Sequence, residues 1–185
     1  MMTLDERIAE FKRVLPLFKK ETIETLCNNG FFTAPASTKY HGAYEGGLFD
    51  HSLMVAKTLI KLTEKNDLAW GSRYSPAIVG MFHDLCKIDA YEHCKTGEYY
   101  DGTPIYDGTY ERREDTLYKG HGEKSVILLS SYIAITPEEA ACIRYHMGAF
   151  TDQEEWKYYT TAVKYFPNVL WTHHADMIAS QIEGV

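Results

Sequence analysis

Cysteine is scarce in this 185-residue chain: Cys27, Cys86, Cys94 and Cys142 are all there is, and no two form a CxxC pair. That spacing speaks against a zinc knuckle and supplies no disulfide framework, so the thiols read as reduced ones in a cytoplasmic protein. Long apolar runs are absent too. Nothing approaches the roughly 18 residues of a membrane span, and the opening MMTLDERIAEFK lacks the basic-then-apolar plan of a secretory leader. Positive charge is in deficit, with 19 Lys and Arg against 26 Asp and Glu, a net charge of −7. This disfavours broad electrostatic binding to long nucleic acid or anionic lipid, while leaving room for a local basic pocket. The chain also has no GxxxxGK[ST] loop, no GxGxxG turn and no GxSxG elbow, which removes P-loop, dinucleotide-binding and serine-hydrolase chemistry. Repeats, low-complexity tracts and linkers are missing, and the length suits one domain over 1–185.

What remains is an ordinary globular composition, 45% hydrophobic and 24% charged, with helical periodicity over most of its length. Thr3 and Glu6 have capping-box spacing. Leu4, Ile8, Phe11, Leu15 and Phe18 follow at helical steps. A short helix over Glu21–Cys27 is expected to stop at Asn28-Asn29-Gly30, and residues 31–50 read as a loop punctuated by Pro35, Gly42, Gly46 and Gly47. Asp50 is expected to cap the next helix. Ser75-Pro76 is expected to open another, with the serine as cap, running to about Ile88. Further helices are expected near 121–134, 137–148, 154–165 and 168–182. The third-from-last opens at Thr136-Pro137-Glu138-Glu139, a second capping box.

Gly97–Gly120 breaks the helical pattern. It is rich in Tyr, Thr, Gly and Asp, and one or two β-hairpins turning near Asp101-Gly102 and Asp107-Gly108 are the natural expectation. The tyrosines from Tyr91 to Tyr118 suit strands, though aromatics of this kind also stack nucleobases. Arg112-Arg113 is outnumbered by acids in the same stretch, which makes a nucleic-acid track a weak reading.

Five segments carry side chains suited to divalent ions: GGLFDHSL with His51, MFHDLCKI with His83 and Asp84, GHGEKS with His121, IRYHMG with His146, and HHADMIAS with Asp176. Imidazole and carboxylate together suit borderline divalent metals, and helices hold ligands to the tolerance such metals demand. One His-Asp dipeptide carries little information, because a lone histidine on an apolar helix is usually a satisfied core residue. The ordered set His, His-Asp, His, His, Asp is more specific. With Gly46-Gly47-Leu48 before His51, Lys87 after His83-Asp84, and Ala175-Asp176 near the end, the chain over about 40–183 resembles the HD-domain superfamily of metal-dependent phosphohydrolases.

That resemblance implies an all-α, HD-type helical bundle with a small β-hairpin insertion around 97–119, the N-terminal 30 residues completing the bundle. It implies His51, His83, Asp84 and Asp176 as ligands of a first ion, with His121 and His146 serving a second that Asp84 bridges. The ions would be divalent, two in number, with Mn, Fe, Ni, Co, Zn and Mg all admissible. Asp84 and Lys87 then stand as catalytic candidates, and Lys87, His41, Lys124 and Arg144 as substrate-binding ones. For Lys87 the plainer alternative is a solvated helix-end lysine, and for Lys124 and Arg144 surface ion pairs. Cys86, interior to the His-Asp segment, reads as core; His173 and His174 read as residues of a helix face, with a supporting place behind the ligands as the alternative for one of them. The implied activity is metal-dependent hydrolysis of a phosphoester of a nucleotide or other small molecule. A 3′–5′ exoribonuclease-like phosphodiesterase and a non-catalytic nucleotide-binding signalling module are the alternatives. Oligomeric state is not legible.

Overall fold

The computed structural model describes residues 1–185 and is mainly helical. In chain order the elements are α1 (Leu4–Val14), α2 (Lys20–Asn28), α3 (Gly47–Asn66), α4 (Ser75–Phe82), a 3-10 segment (Leu85–Asp89), β1 (Tyr91–Glu98), β2 (Pro104–Arg112), α5 (Gly122–Ser130) and α6 (Pro137–Arg144). Two short 3-10 turns follow, then α7 (Trp156–Tyr165) and α8 (Asn168–Gln181). No helix is long and apolar enough to cross a membrane.

Both capping boxes form. The Thr3 and Thr136 side chains accept from the Glu6 and Glu139 backbone N–H groups, and each glutamate bonds back to its cap. Two other caps fall elsewhere. The helix carrying His51 begins at Gly47 behind Gly46, whose φ is +82°. The early start depends on close backbone contact, since a Cβ on Gly47 would lie 2.0 Å from the Gly42 carbonyl oxygen. Asp50 therefore sits inside the first turn, where buried Arg7 meets it at 2.9 Å and the Tyr44 hydroxyl donates to it at 3.0 Å. Ser75 is the first residue of α4 rather than its cap, and its hydroxyl donates to Glu139 across to α6 at 2.7 Å.

α3 packs on α4 and α8, and α6 packs on α5, α8 and α4. α3 and α4 meet backbone to backbone at Gly80, where a Cβ would stand 2.4 Å from the Ala56 Cα. Below the pair α3/α4 lies a phenylalanine cluster. Phe31 stacks near Phe49 and Phe82, with ring centroids 5.8 and 5.4 Å apart, and Phe11 lies 6.1 Å from Phe82. Aromatic contacts of this geometry stabilise beyond their buried area. The N-terminal segments thus brace the residues just before His51 and His83.

The strands form one antiparallel hairpin rather than two, and it starts at Tyr91, earlier than the Gly97 boundary expected. The turn at Asp101-Gly102 is present. Asp107-Gly108 makes no second turn: with His93 opposite Tyr110 and Lys95 opposite Tyr106, residues 107–109 bulge opposite Cys94. Asp107 accepts from the Thr109 backbone at 2.8 Å and Gly108 has φ +81°, so the local turn chemistry is spent on a bulge.

Candidate metal centre

His51 comes from the first turns of α3, and Asp176 from the middle of α8. The helix expected to continue to Ile88 stops at Phe82. His83 and Asp84 form the break, with Asp84 at φ −104° and ψ 19°, before the chain tightens into the 3-10 segment. His121 lies at the N-terminal cap of α5 and His146 two residues beyond α6. A second close approach joins these last two segments: a Cβ on Gly122 would lie 2.1 Å from the Arg144 carbonyl oxygen.

All six side chains expected as ligands meet. His51 Nε2 is 3.2 Å from His83 Nε2 and 3.2 Å from Asp176 Oδ1. Asp84 Oδ2 lies 3.8 Å from His51 Nε2 and 3.6 Å from His83 Nε2. The other oxygen, Oδ1, faces the remaining pair, 2.7 Å from His121 Nε2 and 3.4 Å from His146 Nε2. One buried aspartate thus separates four histidines into two pairs, one per oxygen.

These atoms fit divalent cations. Donors bonded at about 2.0–2.2 Å stand about 3.0–3.6 Å from one another in octahedral or tetrahedral coordination. The separations around His51 and His83 match this within a few tenths of an ångström. His51, His83 and Asp84 form one group of mutually close ligand atoms, His83, His146 and Asp176 a second, and Asp84, Cys86 and His121 a third. The rings are also held from behind. The Nδ1 atoms of His51, His83 and His146 lie 2.8, 2.9 and 2.7 Å from the backbone oxygens of Val185, Gly80 and Ile143. A backbone oxygen only accepts, so each Nδ1 carries the proton and, in the neutral ring, each Nε2 turns a lone pair inward. Asp84 Oδ1 and His146 Nε2 are buried without a hydrogen-bond partner; the short approach of His121 to Oδ1 lacks the alignment a hydrogen bond requires. Lone pairs and carboxylates crowded together in this way repel one another unless cations, or protons in their place, lie between them.

Protonation of these side chains follows the same logic. Burial depresses His51 basicity, but Asp176 and Asp84 outweigh it and hold the pKa above its ordinary value. Burial likewise opposes the charge on His121, and Asp84 again raises its pKa well above normal. Burial dominates at His83, whose pKa falls to about 4. Asp84 resists burial and stays well below the usual carboxylate range because Lys87, His83 and His121 surround it.

The other expected site residues divide. Lys87 Nζ is 2.7 Å from Asp84 Oδ2 and lines a cleft of about 930 Å³ that opens onto the centre. His41 lines the same cleft, its ring centroid 5.5 Å from that of His51. Lys124 reaches the lining, but it is buried and its ammonium is tied to Asp89. Arg144 is a correction: it lies outside the lining, held between Glu123 and Glu155. Both long cations meet carboxylates that neighbouring segments bring to them, and these satisfy their charge.

Sequence reasoning left three contributors out of the expected site. Cys86, read as core, places its Sγ 3.3 Å from His121 Nδ1 and borders the cleft; its position two residues after Asp84 was the available signal. The Val185 backbone oxygen behind His51 had no signal, because every residue type carries a backbone oxygen. His173, read as part of a helix face, also lines the cleft, and its Nδ1 lies 2.8 Å from the His146 carbonyl oxygen. No family model, no curated protein and no solved structure matches this chain.

Proposed function

We propose that the protein is a metal-dependent phosphohydrolase of the HD type, acting on a small phosphoester of nucleotide size at a two-ion centre. The observation that carries this reading is the division of four histidines between the two oxygens of Asp84. A one-ion site has no need of His121 and His146 in addition to His51, His83, Asp84 and Asp176. Divalent ions held there would supply Lewis acidity and lower the pKa of water from 15.7 towards neutrality.

The protein's own groups do the positioning. His51, His83 and Asp176 would hold one ion and His121 and His146 the other, with Asp84 common to both. Lys87 is kept charged beside Asp84, which more than offsets its burial, and it faces the cleft from which a phosphoryl group would enter. His41, half-buried on the same wall, is placed to hydrogen-bond a phosphoryl or leaving-group oxygen. Burial holds its pKa below the ordinary value, so it serves at neutral pH as a neutral donor or acceptor. The cleft volume of about 930 Å³ suits a ligand of nucleotide dimensions.

The test is hydrolysis of nucleoside monophosphates, cyclic nucleotides and bis-p-nitrophenyl phosphate by protein stripped with chelator and resupplied with Mn²⁺, Fe²⁺, Co²⁺, Ni²⁺, Zn²⁺ or Mg²⁺ in turn. Turnover that needs an added ion and disappears in Asp84→Asn supports the proposal. Ion binding with no hydrolysis of any probe would favour the binding module instead. Tight, steeply salt-dependent binding of single-stranded RNA would favour the exoribonuclease.

A further inference from the structure

The charge of the cleft runs against the charge of the molecule. The chain as a whole carries −7. The only acids lining the cleft are Asp84 and Asp176, both in the metal centre, whereas five cations line it: Lys87, Arg112, Arg113, Lys119 and Lys124. Lys87 is paired with Asp84, Arg113 is bidentate on Asp115, and Lys124 is tied to Asp89. Arg112 and Lys119 have no carboxylate within ion-pair distance. Two free cations thus face an otherwise acid-free outer wall.

Both are anchored close to the centre. Arg112 ends β2 opposite Tyr91, which also lines the cleft and follows directly on the segment that carries Asp84 and Lys87. The next residue, Arg113, donates its backbone N–H to the Ala90 carbonyl at 3.0 Å. Arg112 therefore stands at the base of the hairpin and not at its tip, which lies near Asp101-Gly102. Lys119 precedes His121 by two residues, with Gly120 at φ +91° between them. Phosphate groups recruit such unpaired Arg and Lys side chains through charge-assisted hydrogen bonds, and Arg is suited to bidentate contact.

We infer that Arg112 and Lys119 form a second anion subsite, which selects substrates carrying a further phosphate group besides the one placed at the metal centre. This rests on the phosphohydrolase reading for the placement of the first phosphate. The second group would be held by the hairpin and the strand-to-helix loop, so the insertion acts as a specificity element. The ligand class is a bisphosphorylated small molecule, with the aromatic ring of Tyr91 available beside the subsite.

The test compares adenosine 3′,5′-bisphosphate with adenosine 5′-monophosphate by calorimetric titration of the Mn²⁺-loaded full chain, which reads binding without requiring turnover. The native protein is expected to bind the bisphosphate at least about tenfold more tightly, the scale of one charge-assisted contact. Arg112→Gln and Lys119→Gln, both at exposed positions, should each reduce that ratio several-fold, and the double variant should bring it near one. Lys61→Gln, on the exposed side of α3, makes the same change in net charge and should leave the ratio as it is. A native ratio near one, or a double variant that keeps the native ratio, overturns the inference. Selective binding without hydrolysis would sustain the subsite and count against the phosphohydrolase reading alone.

Discussion

Asp84 is the residue on which most of the chemistry converges. Its two oxygens serve different histidine pairs, so replacing it should affect both ions, whereas replacing a histidine of the second pair should affect one. Asp84→Asn keeps the shape and removes the charge. It is expected to reduce bound metal, measured by elemental analysis, from two ions per chain to less than one. His146→Ala is expected to retain about one ion, and a two-phase calorimetric titration in the native protein should collapse to a single phase. A native protein that saturates at one ion would refute the two-ion arrangement. His83 makes a separate prediction for the metal-free protein. Its folded pKa of about 4 lies below the ordinary 6.5, so between those values the unfolded chain binds the extra proton. Stability therefore falls as pH is lowered through 6.5 and the loss is complete near 4, by at most about 3 kcal/mol from this group. His51 and His121, shifted upward, act with the opposite sign: their contribution is present at low pH and fades as pH rises through their folded pKa values. Urea melts of native and His83→Asn protein across pH 4–7.5 separate the terms, because only the native chain should show the His83 component.

Among the elements, two glycine contacts set the spacing of the ligand-bearing helices. α3 carries His51 and α4 ends just before His83, and they meet backbone to backbone at Gly80 and Ala56. A side chain at Gly80 has no flexible neighbour to displace, since its nearest atoms would be the Ala56 Cα at 2.4 Å and N at 2.6 Å. Gly80→Ala should therefore push the helices apart, at a cost of about 1–3 kcal/mol in denaturant unfolding, and should also weaken metal binding at the His51–His83 pair. An alanine variant with native stability and native metal affinity would show that the helices do not need this contact. Gly122 has the same role between α5 and the end of α6, where a Cβ would meet the Arg144 carbonyl oxygen.

On the scale of the whole molecule, the centre joins distant parts of the chain. Its candidate ligands come from α3, the α4 break, the cap of α5, the segment after α6, and α8, so ions held there would cross-link most of the fold. The centre contains buried polar atoms, Asp84 Oδ1 and His146 Nε2, that have no hydrogen-bond partner. Chelation is expected to lower Tm and readdition to restore it. Ligand at a hundredfold excess over Kd stabilises the native state by about 2.7 kcal/mol, a shift of roughly 5–11 °C for a chain of this size. Differential scanning calorimetry with and without chelator measures the shift, and an unchanged Tm would mean the six side chains hold no ion.

Helix positions, the two threonine capping boxes and the turn at Asp101-Gly102 were legible along the chain because each depends on residues no more than a few positions apart. The identities of the six clustered side chains were legible for a related reason: histidines beside acids or glycines, spread over five segments, have few uses other than convergence. Their arrangement was not. The stop at His83-Asp84, where helical periodicity alone continues to Ile88, directs the two oxygens of Asp84 to different histidine pairs. The start of α3 at Gly47 depends on contact with Gly42, and it places Asp50 against Arg7 instead of at a cap. Lys124 and Arg144 read in sequence either as substrate-binding cations or as surface charges, and only the packing of Asp89, Glu123 and Glu155 within reach of them decides for ion pairs. Asp107-Gly108 has the composition of a hairpin turn, yet the pairing of β1 with β2 absorbs it as a bulge. In each case the local preference is worth about 1 kcal/mol or less. Burying a core side chain, or leaving a buried charge unpaired, involves several times that. Long-range packing therefore decides the partners, and with them the shape of the site.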